Sequence, residues 1–206
     1  MWHKHIIKYW KLLRFLVDMQ NDINKALEVL KAGGVILYPT DTVWSLGCDA
    51  ANETAVKRVC ELAGADNLNE IFALVDNPGR LQSYVDEMPD IAWDLIEMAE
   101  KPLTIIYPGA RNLAGNLIAK DKSVGLRVTN EAFSKKLCAQ FRRPVVSAQV
   151  RGQSATYTYG QIAEDIKQAV DYVVNFRQDE RSQPELTSII KLGKGNVFQL
   201  IRANIV

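Results

Sequence analysis

Gly33-Gly34-Val35-Ile36-Leu37-Tyr38-Pro39-Thr40-Asp41-Thr42-Val43-Trp44-Ser45-Leu46-Gly47-Cys48-Asp49-Ala50 carries the reading of this chain. A glycine pair can close a helix, because only glycine adopts the left-handed cap at no steric cost. Four apolar residues then make a short buried strand, and Pro39 stops it. Two threonine hydroxyls flanking a carboxylate follow at once. Polar groups bunched at the end of an apolar strand are where open α/β sheets place ligand sites. From the residues alone, a strand running into a Ser/Thr or Asx turn reads the same string equally well.

Outward from this stretch, strand and helix patterns alternate. Upstream, Asn21 or Asp22 reads as the N-cap of a helix with Ile23, Ala26, Leu27 and Leu30 on one face and Gly33 as its stop. Downstream the pattern predicts helices over 53–60, 81–85, 91–99, 131–141 and 162–170. It predicts strands over 72–75, 103–107, 125–128, 145–147, 172–175, 187–192 and 197–202. Neither a repeat nor a low-complexity linker divides the chain. Mixed strand and helix order predicts one α/β domain with a mixed, twisted sheet.

At 206 residues the chain can bury about 70% of its unfolded surface, enough for a core without staples. The apolar runs are far shorter than the 18 or so residues of a membrane span. Cys48, Cys60 and Cys138 are odd in number and lack metal-ligand spacing, which fits free thiols in a reducing cytoplasm. His3 and His5 are the only histidines, so no histidine metal site or base is expected in the core. Residues 1–18 read as a basic amphipathic extension, with Lys4, Lys8, Lys11 and Arg14 beside Ile6, Trp10, Leu13 and Val17. Such a helix packs on the domain at 19–206, comes from an upstream start codon, or touches a membrane surface or partner.

The net charge of +1 hides an uneven arrangement. Between Glu61 and Glu100 Arg80 is the only base, whereas between Lys101 and Arg151 Asp121 and Glu131 are the only acids. This asymmetry suits either a basic face for phosphate or RNA, or a solvated surface with unevenly placed charge.

Two later blocks complete a pattern: Lys101-Pro102-Leu103-Thr104-Ile105-Ile106 and Ser123-Val124-Gly125-Leu126-Arg127-Val128. With the opening stretch they resemble, in order, the GG-[VI]-[VI]-x-[YF]-P-T-D-T-V-Y-G-L-G-x-D-A, G-P-L-T-L-[IV] and T-V-G-[VI]-R-[VI] motifs of the YrdC-like family, the threonylcarbamoyl-AMP synthases. The resemblance runs from about Asp22 to about Arg202. It implies an open α/β fold around a concave cavity, and synthesis of threonylcarbamoyl-AMP from threonine, bicarbonate and ATP with release of pyrophosphate. It further implies magnesium beside ATP, a product feeding tRNA modification, and proteins of that pathway as partners. Such chemistry rests on positioning and electrostatic stabilisation, with no covalent nucleophile and no catalytic residue singled out.

Carried over residue by residue, the resemblance implies Thr40, Arg127 and Thr187 as threonine-binding, Arg127 as a carboxylate or phosphate clamp. It implies Thr104, Ser147, Gln149 and Ser188 as nucleotide-binding, with no protein metal ligands. The sequence also departs from the family. Ala63 and Ala65 stand where the family carries the Lys and Arg of a K-x-R motif, and the nearest bases are Lys57, Arg58 and Arg151. Ser147-Ala148-Gln149-Val150-Arg151-Gly152 is shorter than the family's S-T-S-A-N loop, and Leu186-Thr187-Ser188 replaces a Pro-Ser-Thr turn. A working synthase with a rearranged phosphate site and a weakened paralogue that binds nucleotide or double-stranded RNA are both compatible with this pattern. So is a subunit that kept the fold for a protein partner.

Overall fold

The structure is a computed structural model, and it describes residues 2–64, 71–149, 158–181, 187–193 and 197–203. Helix α1 (Trp2–Lys31) leads into β1 (Ile36–Tyr38), β2 (Ser45–Gly47), α2 (Glu53–Ala63) and β3 (Ile71–Val75). Then come α3 (Asp90–Glu97), β4 (Leu103–Tyr107), β5 (Val124–Val128), α4 (Ala132–Phe141), β6 (Val145–Ala148), α5 (Glu164–Ala169), β7 (Tyr172–Val173), β8 (Ser188–Leu192) and β9 (Phe198–Arg202). Among the described residues the nine strands form one mixed sheet in the order β7-β1-β2-β6-β3-β5-β4-β8-β9. The predicted single mixed α/β sheet is borne out.

The register explains which residues share a face. Side chains alternate along a strand, so cross-strand partners point the same way. Thr104 pairs Arg127, and Arg127 pairs Leu74. Phe72, two residues before Leu74, pairs Ser147, and Ile189 pairs Thr104. These residues belong to one face. Leu103, Ile105 and Tyr107, with Leu126 and Val128, belong to the other.

Several local rules act as read. Gly33 has φ +80 and ends α1. Asn52 caps α2 through its side-chain oxygen, which accepts from the Ala55 amide at 3.1 Å. Glu131 caps α4, accepting from the Phe133 and Ser134 amides. Gly47 is required for packing: a Cβ there would stand 2.4 Å from a Tyr38 ring carbon and 2.9 Å from the Val146 carbonyl oxygen.

Other expectations are corrected. Asn21 and Asp22 do not cap a helix, because α1 runs unbroken through them. Asp22 is buried in mid-helix and accepts from the Tyr172 hydroxyl, the Asn175 amide group and the Phe176 backbone amide, so its capping chemistry serves a distant loop. Phe15 meets Phe176 with ring centroids 4.9 Å apart. The helix expected over 81–85 is a 3₁₀ segment, Pro78–Ser83, opened by its proline. The helix expected over 91–99 runs Asp90–Glu97, the one expected over 162–170 is trimmed to Glu164–Ala169, and strand 172–175 is reduced to two residues. Strand β2 was not anticipated, since Ser45, Leu46 and Gly47 lack β-branched or aromatic residues; tertiary pairing with β1 and β6 makes it.

Candidate active site

The loop 39–44 that joins β1 to β2 holds a directed chain of hydroxyls. Thr40 Oγ1 lies 2.7 Å from the Val43 carbonyl oxygen and must donate to it. It therefore accepts from the Thr42 amide (3.2 Å) and from Thr42 Oγ1 (3.1 Å). With its proton spent on Thr40, Thr42 Oγ1 accepts from Arg127 Nη2 at 3.3 Å. The turn reading of Thr40 is thus what the geometry displays, and the turn is tied to the strand that carries Arg127.

Arg127 is only 2% exposed, yet it stands among polar groups. Asp41 Oδ1 lies 3.0 Å from Arg127 Nη2, an ion pair by distance whose angle makes no hydrogen bond. Both Asp41 Oδ1 and Arg127 Nε are buried without a hydrogen-bond partner among the described residues. A buried guanidinium with an unpaired N–H costs about 1–3 kcal/mol, a cost that a bidentate carboxylate or phosphate ligand removes. Arg202, at the end of β9, is held below the usual arginine range by burial and then by the nearby Arg127 charge. Two neighbouring guanidinium groups that repel one another favour an anion between them.

Beside them Thr104 Oγ1 and Thr187 Oγ1 are 3.1 Å apart. Thr187 Oγ1 also lies 2.9 Å from the Pro102 carbonyl and 2.8 Å from that of Ser188, and Arg202 Nε donates to the Thr187 carbonyl at 3.0 Å. Thr40, Thr104, Arg127 and Thr187 are therefore brought together. Ser147 stands apart, bonded to Ser45 Oγ at 3.0 Å. Two intervening strand spacings and one residue pair along the strand put it roughly 12 Å from Arg127. Gln149 follows β6, and Ser188 opens β8 with its amide donating to the Pro102 carbonyl at 3.1 Å.

Sequence reasoning missed Arg202 and Arg177, and it pointed to Asp41 and Thr42 without giving either a role. Arg202 had a signal, a base closing a final strand that also carries Phe198, Leu200 and Ile201. Arg177 had none, because it acts on a loop 137 residues earlier: its Nη1 donates to the Thr40 carbonyl at 3.2 Å and pairs with Glu131 at 3.2 Å.

The phosphate-site departures have a structural counterpart. Ala63 is 1% exposed and packs in the core from the last turn of α2. Arg58 is committed to Asp171 and the Ala169 carbonyl, and Lys57 reaches Glu61 at 4.0 Å. Ala65, residues 150–152 and Leu186 lie outside the described residues. The long basic run also disperses: Arg111 donates to the Gln82 carbonyl, and Arg143 pairs with Asp49. Among the described residues no helix is long and apolar enough to cross a membrane.

The chain belongs to the Sua5/YciO/YrdC family, whose profile, described as telomere recombination, matches residues 28–204. A threonylcarbamoyl-AMP synthase of Pseudoalteromonas translucida is 30% identical over 185 residues, covering 87% of this chain and 98% of the relative. A second such enzyme, from Psychromonas ingrahamii, is 30% identical over 135 residues, 64% of this chain and 71% of the relative. Among solved structures, E. coli YciO superposes with TM-score 0.75 at 24% identity, over 89% of both chains. P. abyssi Sua5 complexed with L-threonine superposes with TM-score 0.70 at 22% identity, over 82% of this chain and 50% of that one.

Proposed function

We propose that this chain is a nucleotidyltransferase that joins threonine, bicarbonate and ATP into threonylcarbamoyl-AMP for tRNA modification. One observation carries the reading: Arg127 is buried with Nε unpaired, beside Arg202 and the hydroxyls of Thr104 and Thr187. In this reading Arg127 clamps the threonine carboxylate. Thr40 fixes the loop through its hydroxyl and, with Thr187, borders the amino acid. Thr104 and Ser188 border the nucleotide, and Ser147 with Gln149 lies toward its phosphates.

The threonine amine and bicarbonate condense to a carbamate with loss of water, a carbamate oxygen attacks the α-phosphorus, and pyrophosphate leaves. A donor array fixed before substrate arrives lowers the barrier, because it needs no reorganisation when charge develops. Magnesium enters on the triphosphate; among the described residues no group of three or more carboxylates, histidines or cysteines is arranged to hold a metal. Free Cys48, Cys60 and Cys138 suit a reducing, cytoplasmic setting.

The test is pyrophosphate release from ATP with bicarbonate and magnesium, with and without threonine. Threonine-dependent release, reduced at least 100-fold in Arg127→Gln, is the expected result. No threonine-dependent release from folded protein overturns the reading.

Burial of Ala63 favours a second reading, in which a cation is missing and the chain binds nucleotide or double-stranded RNA without turnover. A steep fall of RNA affinity with salt, beside silent turnover, selects it. The tRNA itself and pathway proteins are proposed partners in the first reading.

A further inference from the structure

Helix α1 is anchored to the domain through its second half. Met19, Ile23, Ala26 and Leu30 are buried on one side, Asp22 binds Tyr172, Asn175 and Phe176, and Phe15 meets the Phe176 ring. Farther toward the N-terminus Trp10 is 63% exposed, Leu13 40%, Leu16 44% and Val17 50%. Trp10, Leu13 and Val17 recur at i, i+3 and i+7, the spacing of a single helix face. At about 100° per residue that face centres roughly 140° around the axis from Met19, Ile23, Ala26 and Leu30. The apolar stripe is thus turned away from the domain, which cannot cover it.

The charge along this part of the helix has one sign. Residues 1–17 carry Lys4, Lys8, Lys11 and Arg14 and no acid, and the first acid, Asp18, lies 3.8 Å from Arg14. Arg14 is exposed, and helical spacing sets it beside Trp10 and Val17. A second copy of α1 laid on the stripe brings these bases against their own kind, which is unfavourable. A nucleic acid suits the bases but leaves the aliphatic side chains in water. A bilayer with anionic headgroups accommodates both, because basic amphipathic helices lie in its interface with their apolar face inward. No helix among the described residues is long and apolar enough to cross a membrane, so the contact is along the surface.

We infer that residues 10–17 of α1 form a docking face for an anionic lipid surface, with the domain held on the water side. Trp10, Leu13, Leu16 and Val17 enter the boundary between headgroups and acyl chains, where removal of their surface from water is favourable. Tryptophan suits that boundary, since its ring is apolar and its N–H is polar. Arg14 and the lysines upstream of it meet the headgroup charge. Phe15 and Asp22 hold the helix to the domain, so the stripe enters the surface without drawing a core residue out of place.

The test is flotation of the full chain with vesicles of phosphatidylcholine mixed with phosphatidylglycerol, against vesicles of phosphatidylcholine alone. The expected result is an affinity for the anionic vesicles at least tenfold above that for the neutral ones, falling as salt is raised. Trp10→Glu combined with Leu13→Glu, two exposed changes, should weaken binding at least tenfold at unchanged Tm. Arg14→Glu should lower the preference for anionic vesicles, and it stands in if the double variant does not fold. Absence of flotation with anionic vesicles, equal affinity for the two vesicle types, or undiminished binding by the variants would overturn the inference. So would sedimentation of the lipid-free native chain as a dimer that the double variant abolishes, which assigns the stripe to a second copy. Flotation is read without substrates, so the result is independent of whether the chain makes threonylcarbamoyl-AMP.

Discussion

Arg177 holds Thr40 by its backbone. The guanidinium donates to the Thr40 carbonyl at 3.2 Å while also engaging Glu131 and Glu180, and Arg177 itself sits at φ 67, a region that side-chain-bearing residues seldom enter. A non-glycine residue kept there costs about 1 kcal/mol or more, and the three contacts offset it. Arg177→Ala should therefore act on the loop more than on the fold. The expected result is a KM for threonine raised about tenfold with kcat changed less than threefold, as for a lost ground-state contact. Steady-state kinetics against threonine checks this, and a fall confined to kcat would refute it.

Gly47 should tolerate no side chain. Its Cβ would meet the buried Tyr38 ring, whose hydroxyl is tied to the Val146 carbonyl at 2.8 Å and so cannot swing aside. Gly47→Ala should destabilise the protein by about 2–4 kcal/mol, mostly as overpacking. Urea unfolding measures it, and Tyr38→Phe in the same background should recover only part, since the clash is with the ring.

Restoring the family's lysine should not restore a phosphate site. Ala63 faces the core, so Ala63→Lys forces a long charged side chain against it and should cost about 3 kcal/mol. The measurement is thermal stability beside pyrophosphate release: lower Tm with no gain in turnover is expected. A gain in turnover at unchanged Tm would mean that the α2 terminus can open toward the nucleotide.

Acid should expose one ion pair selectively. Lys191, and then Ser123, hold the Asp121 carboxyl down at about 2 from its usual 3.8. A depressed carboxylate stabilises the fold above its unfolded pKa, and that stability is lost as pH falls through the folded value. The Tm difference between the native chain and Asp121→Asn should be constant above pH 5 and should shrink as the pH falls from about 4 to about 2. Both partners are well exposed, so the difference should be small and weaker in high salt. A constant difference down to pH 2 would exclude the pair as its source.

What the sequence disclosed was local. The Gly33 stop, the Asn52 cap and the alternation that sets Thr104 beside Ile105 all depend on neighbours within a few residues, and they were legible. Thr40, Thr104, Arg127 and Thr187 were named from motifs; the strand register sets Thr104 beside Arg127, Thr187 reaches Thr104 by its hydroxyl, and Thr40 is linked to Arg127 through Thr42. Asp22 misled for a physical reason: a carboxylate that could cap a helix can equally accept from a loop 154 residues later, and only the fold decides which. Strand β2 and Arg177 were hidden in the same way, since each is made by partners far along the chain.

The distance in sequence across which the 39–44 loop is braced also bears on how the chain comes off the ribosome. Thr42 is bound by a residue 85 positions later and Thr40 by one 137 positions later. Contacts of such separation form late, after the local helices and hairpins. The segment that most resembles a catalytic signature is thus translated early and set last. Its bracing is complete only when residue 177 has been made and can fold back onto it.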